Sequence, residues 1–166
     1  MDPASYSTST APNFALRWQW SRLENLAASE LYSVLAARQQ VFTVEQHCAF
    51  QDADGYDLVA WHLLGWTTAI APPALAAYLR ILDPGSKYAE PSIGRVLTMP
   101  PNRGTGVGRA LVEQGVARCR AAWPGQPIRI AAQQRLEAFY ASLAFRTVSP
   151  PYIEDGIAHV DMMLAP

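Results

Sequence analysis

One short segment constrains this chain more than any other: Arg103-Gly104-Thr105-Gly106-Val107-Gly108-Arg109, set between an apolar extended run and a long amphipathic stretch. Closely spaced glycines let successive backbone N–H groups point into one concave spot. A helix that follows adds unpaired N–H donors and the positive end of its dipole. The combination is an anion site suited to a pyrophosphate, to which Arg103 and Arg109 can add charge-assisted contacts. Two better-known phosphate patterns fail on inspection. A Walker turn needs Lys followed by Ser or Thr after its last glycine, and Arg109-Ala110 stand there. A dinucleotide fingerprint needs glycine or alanine at its sixth position, which Arg109 or Leu111 occupies, and such a turn usually opens its domain.

The pattern on either side predicts the frame. Gly108, Leu111, Val112, Gly115, Val116 and Cys119, continued by Trp123, recur at steps of three and four and predict a helix ended by Pro124 and Gly125. Strands are expected at Leu16–Trp20, at the apolar runs 61–70 and 74–83 flanking Pro72-Pro73, at Ile93–Met99, at Ile128–Ala132 and at about 159–164. A helix over about 29–43, capped by Ser29, would turn Leu31, Val34, Leu35, Val41 and Phe42 inward. A shorter helix would turn Leu136, Phe139, Tyr140 and Leu143 inward, and residues 45–60 read as a loop. The order β-α-β-β-β-α-β-α-β predicts an α/β (α+β) domain. Its mixed sheet is parallel across the central strand–helix–strand unit, antiparallel at Pro72, and covered by helices on both faces. Residues 1–13, rich in Ser, Thr and Pro, read as a disordered tail, leaving 14–166 as one domain without internal repeats.

Composition narrows the function classes. A chain of 166 residues buries a core without staples. A formal net charge of -1 argues against a nucleic-acid partner, which calls for a basic excess. Cys48 and Cys119 form no CxxC pair, and no metal is expected. A calcium loop opening at Asp52 would need Gly and Glu where Asp57 and Leu63 stand. No signal pattern leads the chain and no apolar run approaches the ~18 residues of a membrane span, so a cytoplasmic protein is expected. Oligomeric state is not fixed, and a homodimer is open.

Arg103-x-x-Gly106-x-Gly108 resembles the coenzyme A motif of the GNAT superfamily of N-acetyltransferases. Gln133, followed by Tyr140 and Ala144-Phe145, resembles that family's second coenzyme-side segment. Val41-Phe42-Thr43-Val44-Glu45-Gln46, His62-Leu63-Leu64-Gly65-Trp66, Ile93-Gly94-Arg95-Val96 and Glu154-Asp155-Gly156-Ile157-Ala158-His159 resemble its ElaA-like branch. The resemblance covers about residues 16–164. It departs from the family at Gln133, where Asn is usual, at Ala144 for Gly, at Thr98 for Val, and in a shortened 57–62 stretch.

The resemblance implies a single-domain, mostly antiparallel sheet with a central parallel splayed pair, and acetyl-CoA as co-substrate. The acceptor would be the amine of a small molecule or peptide, attacking directly in a ternary complex. Gly104, Thr105, Gly106, Val107, Gly108 and Arg109 would cradle the pyrophosphate with Arg103. Val96, Leu97 and Thr98 would offer backbone groups to the pantetheine arm and the thioester oxygen, with Gln133 and Tyr140 on the coenzyme side. The same turn would also serve a non-catalytic acyl-CoA binding module.

The chemistry asks for a base and an acid. A lysine-like amine is neutral in roughly one molecule in 2500 at pH 7, so a general base lowers a real barrier. Glu45, Asp155 and His159 are the candidates, and the sequence does not choose among them. Tyr140 is the candidate acid for the departing thiolate. Asp52, Asp54 and Asp57, with Glu45, suggest a negative field for a cationic acceptor.

Overall fold

The computed structural model describes residues 15–68 and 71–166, so the expected tail at 1–13 lies outside the described residues. Eight strands form one sheet in the order β1-β2-β3-β4-β5-β8-β6, with β7 paired to β8 off that path. They are β1 Leu16–Arg22, β2 Trp61–Thr67, β3 Leu75–Leu82, β4 Ser92–Thr98, β5 Ile128–Gln133, β6 Arg146–Thr147, β7 Tyr152–Glu154 and β8 Ile157–Leu164. The helices are α1 Ala28–Arg38, α2 Val107–Ala122 and α3 Glu137–Ala141. All pairings are antiparallel except β4 with β5, the two strands that α2 connects.

The two-residue period of β2 and β3 sorts the core between two faces. Leu63, Leu79 and Ile81 point one way and pack with Leu111, Val112 and Cys119 of α2. Leu64, Trp66 and Tyr78 point the other way and pack with Val34, Ala37 and Val41 of the first helical segment. At Gly115 a Cβ would stand 2.8 Å from Leu79 Cδ2, so glycine is what lets α2 lie this close to β3.

The first helix departs from expectation in three ways. Its N-cap is Ala27, whose N–H donates to the Glu30 carboxylate at 2.9 Å, and Ser29 sits inside the first turn. Beyond Arg38 the chain continues as a wider π-helical turn, Gln39–Glu45. Leu35 is exposed, whereas Arg38, only 1% exposed, takes a place on the buried stripe. A guanidinium sits there because two carboxylates, Asp52 and Asp57, lie within reach of it, as described below. The short strands β6 and β7 were also not expected; both lie in the stretch between α3 and β8.

Candidate active site

β4 and β5 meet at a single register position, Ser92 opposite Arg129, and then diverge. The β5-facing backbone groups of β4 beyond that point therefore lack a strand partner, and buried backbone polar groups need one. The divergence coincides with a bulge. Gly94 pairs with Arg80 and Leu97 with Tyr78, so Arg95 and Val96 together oppose Leu79. Arg95 takes the bulge at φ 51°, a conformation costly for a residue with a Cβ.

Its side chain shows what holds it there. Arg95 Nε lies 2.7 Å from Asp52, and its Nη2 lies 3.1 Å from Asp54. Arg80 binds Asp54 at 2.6 Å and Asp57 at 2.8 Å. Arg38 binds Asp52 at 2.6 Å and Asp57 at 2.7 Å. Burial pulls the Asp54 and Asp57 carboxyls up, but hydrogen bonds and charge from the arginines outweigh it and hold both below the usual range. Burial likewise opposes the charge on Arg38 and Arg80, and the same carboxylates raise both above the usual value. The expected acidic field of Asp52, Asp54 and Asp57 is therefore neutralised within the fold. His62 extends the network. Its Nε2 lies 3.1 Å from the Asp57 carbonyl, which only accepts, so Nε2 carries the hydrogen and Nδ1 accepts from the Tyr78 hydroxyl at 2.7 Å.

Past the end of β4, the Gly-rich turn has the conformation its composition suggests. Gly104 and Gly106 adopt φ 72° and 91°, and Gly106 is the N-cap of α2. The first bond of α2 runs from the Ala110 N–H to the Gly106 carbonyl at 3.1 Å, which leaves the N–H groups of Val107, Gly108 and Arg109 ahead of the helical ladder. Thr105 Oγ1 donates to the Asn102 carbonyl at 2.7 Å. Both arginines of the turn have protein partners. Arg103 donates to the Thr98 carbonyl at 3.0 Å and to Glu45 at 2.8 Å, and Arg109 donates to Ser142 Oγ at 2.7 Å. The anion-binding capacity on view is thus mainly that of the backbone.

A cavity of about 480 Å³ opens at the β4–β5 divergence. Gly94 and Arg95 line one side; Gln133, Tyr140, Asp155 and His159 line the other. Tyr140 is 6% exposed. Burial pushes its phenol up to about 12, and its hydroxyl has no hydrogen-bond partner among the described residues. His159 on β8 sits between Gln133 of β5 and Tyr152 of β7, with its ring stacked on Tyr152 at 6.0 Å. Its Nδ1 lies 2.8 Å from the Ile157 carbonyl, so Nδ1 carries the hydrogen and Nε2 of the neutral ring keeps its lone pair. Gln133 is held by Gln46 at 3.0 Å and by Arg135 at 3.0 Å.

The three candidate bases separate here. Glu45 does not line the cavity and is paired with Arg103. Asp155 and Gly156, at φ 49° and 79°, form the two-residue turn of the β7–β8 hairpin, which needs positive φ at both positions. The Asp155 carbonyl accepts from the Cys48 thiol at 3.2 Å, tying the hairpin to the loop after the π-helical turn. His159 lines the cavity with its ring oriented by the Ile157 carbonyl, and Asp155 lines it with a carboxylate that no described cation pairs. Sequence reasoning missed Arg38, Arg80 and Arg95. For Arg38 the signal was present, since it shares a helical stripe with Val34 and Val41.

Comparison with known proteins gives one consistent answer. The sequence model of the family described as "Acetyltransferase (GNAT) domain" matches residues 74–166. Protein ElaA of Escherichia coli (strain K12) is 39% identical over 149 residues, covering 89% of this chain and 95% of that protein. The chain belongs to the GNAT acetyltransferase family, in its ElaA-like branch. The crystal structure of Escherichia coli ElaA superposes with a TM-score of 0.82 at 38% identity, covering 90% of this chain and 99% of that one. An acyl-CoA N-acyltransferase from Pseudomonas aeruginosa superposes at 0.84 with 37% identity, covering 91% and 100%. As a GNAT protein the chain is an acyltransferase that uses an acyl-CoA.

Its own residues fit that group. The left-handed glycines and the helix start present N–H donors to a diphosphate, and the unpaired edge of β4 presents backbone groups to an amide-bearing arm. No cluster able to hold a metal ion occurs among the described residues, and no helix there is long and apolar enough to cross a membrane.

Proposed function

We propose that this GNAT protein transfers the acetyl group of acetyl-CoA to a primary amine by direct attack in a ternary complex. One observation carries the reading: Tyr140, buried and with no hydrogen-bond partner for its hydroxyl among the described residues, and His159, its ring oriented by the Ile157 carbonyl, line the same cavity where β4 and β5 diverge. The turn from Arg103 to Arg109 holds the pyrophosphate, Val96 to Thr98 bind the pantetheine arm through their backbone, and Gln133 borders it. His159 takes the proton from the amine, directly or through a water. The amine attacks the thioester carbon while a backbone N–H near Leu97 stabilises the oxyanion, a kind of contact typically worth about 3 kcal/mol. The C–S bond then breaks, and Tyr140 gives its proton to the departing thiolate. Burial pushes the phenol up to about 12, which keeps it protonated before the reaction but makes full transfer to a free thiolate uphill, so the proton moves as the C–S bond breaks and the phenolate is reprotonated afterwards.

The test is thiol release from acetyl-CoA with a panel of primary amines. Amine-dependent release with one acetyl group appearing on nitrogen per thiol is expected. Binding of acetyl-CoA without release by any amine sinks the reading. Gly106→Glu places bulk and negative charge at the pyrophosphate position and is expected to abolish coenzyme binding in calorimetry.

A further inference from the structure

The charged groups lining the cavity differ in whether they have counter-ions. Both of its arginines have counter-ions within ion-pair distance, Arg80 in Asp54 and Asp57 and Arg95 in Asp52 and Asp54. Asp54 is neutralised in the same contacts. Three charges on the lining stand apart from that network: Lys87, Glu154 and Asp155. Lys87 is the only lysine of the chain. It lies in the loop joining β3 to β4, just before Ser92, where β4 and β5 are still paired. Both carboxylates of that loop are already engaged, Asp83 by Arg22 at 2.8 Å and Glu90 by Arg129 at 3.1 Å. The Lys87 ammonium rests 5.3 Å from the centroid of the Tyr88 ring, a contact that leaves its charge uncompensated. Among the described residues no carboxylate pairs with it. Glu154 and Asp155 lie at the other end, at the tip of the β7–β8 hairpin near His159, and no described cation pairs with either.

We infer that the amine acceptor is a small zwitterion: its amine lies beside His159 and Tyr140, near Glu154 and Asp155, and a carboxylate at its far end is held by Lys87. The inference rests on the amine-acetylation reading and names the substrate class of that site. An acceptor entering this cavity displaces water from Lys87. A carboxylate restores the lost interaction, a plain alkyl chain leaves the ammonium unpaired, and a second ammonium is repelled. The two anchor points also set a spacing. A strand advances about 3.3 Å per residue, so Ser92 and Val96 are on the order of 13 Å apart along β4. Even with the reach of a lysine side chain, the carboxylate stands several bonds away from the reacting amine. An ω-amino acid of intermediate length meets that requirement, and the cavity volume of about 480 Å³ is of small-molecule size.

The experiment compares kcat/KM for thiol release across three series: ω-amino acids from β-alanine upward, alkylamines of matching length, and the corresponding α,ω-diamines. Wild-type protein, Lys87→Met and Lys87→Glu are measured with each. Lys87 is exposed, so the wild type is expected to prefer one ω-amino acid over its matched alkylamine by up to about fivefold, the upper range for an exposed ion pair. In Lys87→Met that ratio collapses toward one through KM, and in Lys87→Glu the preference passes to the diamine. Raising ionic strength shrinks the wild-type ratio and leaves that of Lys87→Met where it is. A wild type that prefers alkylamines or diamines, or a Lys87→Met variant that keeps the wild-type ratio, overturns the inference while leaving amine acetylation standing. Failure of every amine to release thiol brings down the acetylation reading and this inference with it.

Discussion

On one side of the cavity stand Arg80, Arg95 and Asp54, which with Arg38, Asp52 and Asp57, away from the lining, form a set meeting at 2.6 to 3.1 Å, each residue paired with two others. On the other side the Tyr140 hydroxyl and His159 Nε2 have no protein partner among the described residues. The two walls draw on similar polar chemistry, and the difference lies in pairing. A buried charge is tolerable only with a partner, so the paired wall reads as scaffold: it pins the Arg95 bulge and with it the divergence of β4 from β5. Polar atoms left open in a small cavity are stable only because water or a ligand completes them, so the open wall reads as chemistry.

The largest effect that tests this contrast comes from the paired wall. Arg38→Leu leaves Asp52 and Asp57 short of a partner at a site 1% exposed, and a loss of about 3–5 kcal/mol is expected from the urea midpoint. A loss below about 1 kcal/mol would show that the network is not holding the fold. On the open wall the effects reverse in kind. Tyr140→Phe is expected to lower kcat by about 100-fold, with melting temperature and acetyl-CoA affinity unchanged, because the hydroxyl it removes has no protein partner. A drop in coenzyme affinity at unchanged kcat would move Tyr140 from chemistry to binding. His159→Gln is expected to lower kcat/KM by about 100-fold with stability held. An unchanged kcat/KM would pass the role of base to Asp155.

The smallest effect is in acid stability, and it belongs to the paired wall again. Burial pushes the His62 imidazole down by stripping water from the charged ring; Asp57 opposes this, and the charges of Arg38 and Arg80 add to it. The folded protein therefore binds that proton less readily than the unfolded chain does. Stability should be level above the ordinary histidine value of 6.5 and fall as pH drops below it. Asp54 and Asp57, held below their usual range, contribute stability above the ordinary carboxyl value of 3.8 and lose it at lower pH still. Denaturant midpoints between pH 8 and 3, scanned for wild type and His62→Gln, separate the two steps. A His62→Gln variant that keeps the upper step would assign that step elsewhere.

Much of the frame can be read without coordinates. The turn at Gly104–Gly108, the helix after it and the strand before it rest on spacing within one short stretch, Ser92 to Ala122, and all three stand where the pattern puts them. The parallel pairing of β4 and β5 follows from the helix that joins them. β7 escaped because three residues, Tyr152–Glu154, carry too little alternation, although Asp155-Gly156 is itself a hairpin signal. The π-helical turn at Gln39–Glu45 escaped because its apolar residues continue the helical stripe. Within the site, Tyr140 and His159 were on view as candidates, and Glu45 looked equal to His159 until the ion pair with Arg103 set it apart.

What the amino-acid order established alone was local: a Gly-rich turn, its strand and helix, and the family that such a set of segments belongs to. Which ionisable side chains are spent on one another was settled in three dimensions. Arg38 finds Asp52 14 positions away, Arg80 finds Asp54 26 away, and Cys48 finds Asp155 107 away. A charge becomes scaffold or stays open to a ligand according to whether a counter-ion stands within about 4 Å, and chain order sets that distance only after the sheet has brought remote segments together.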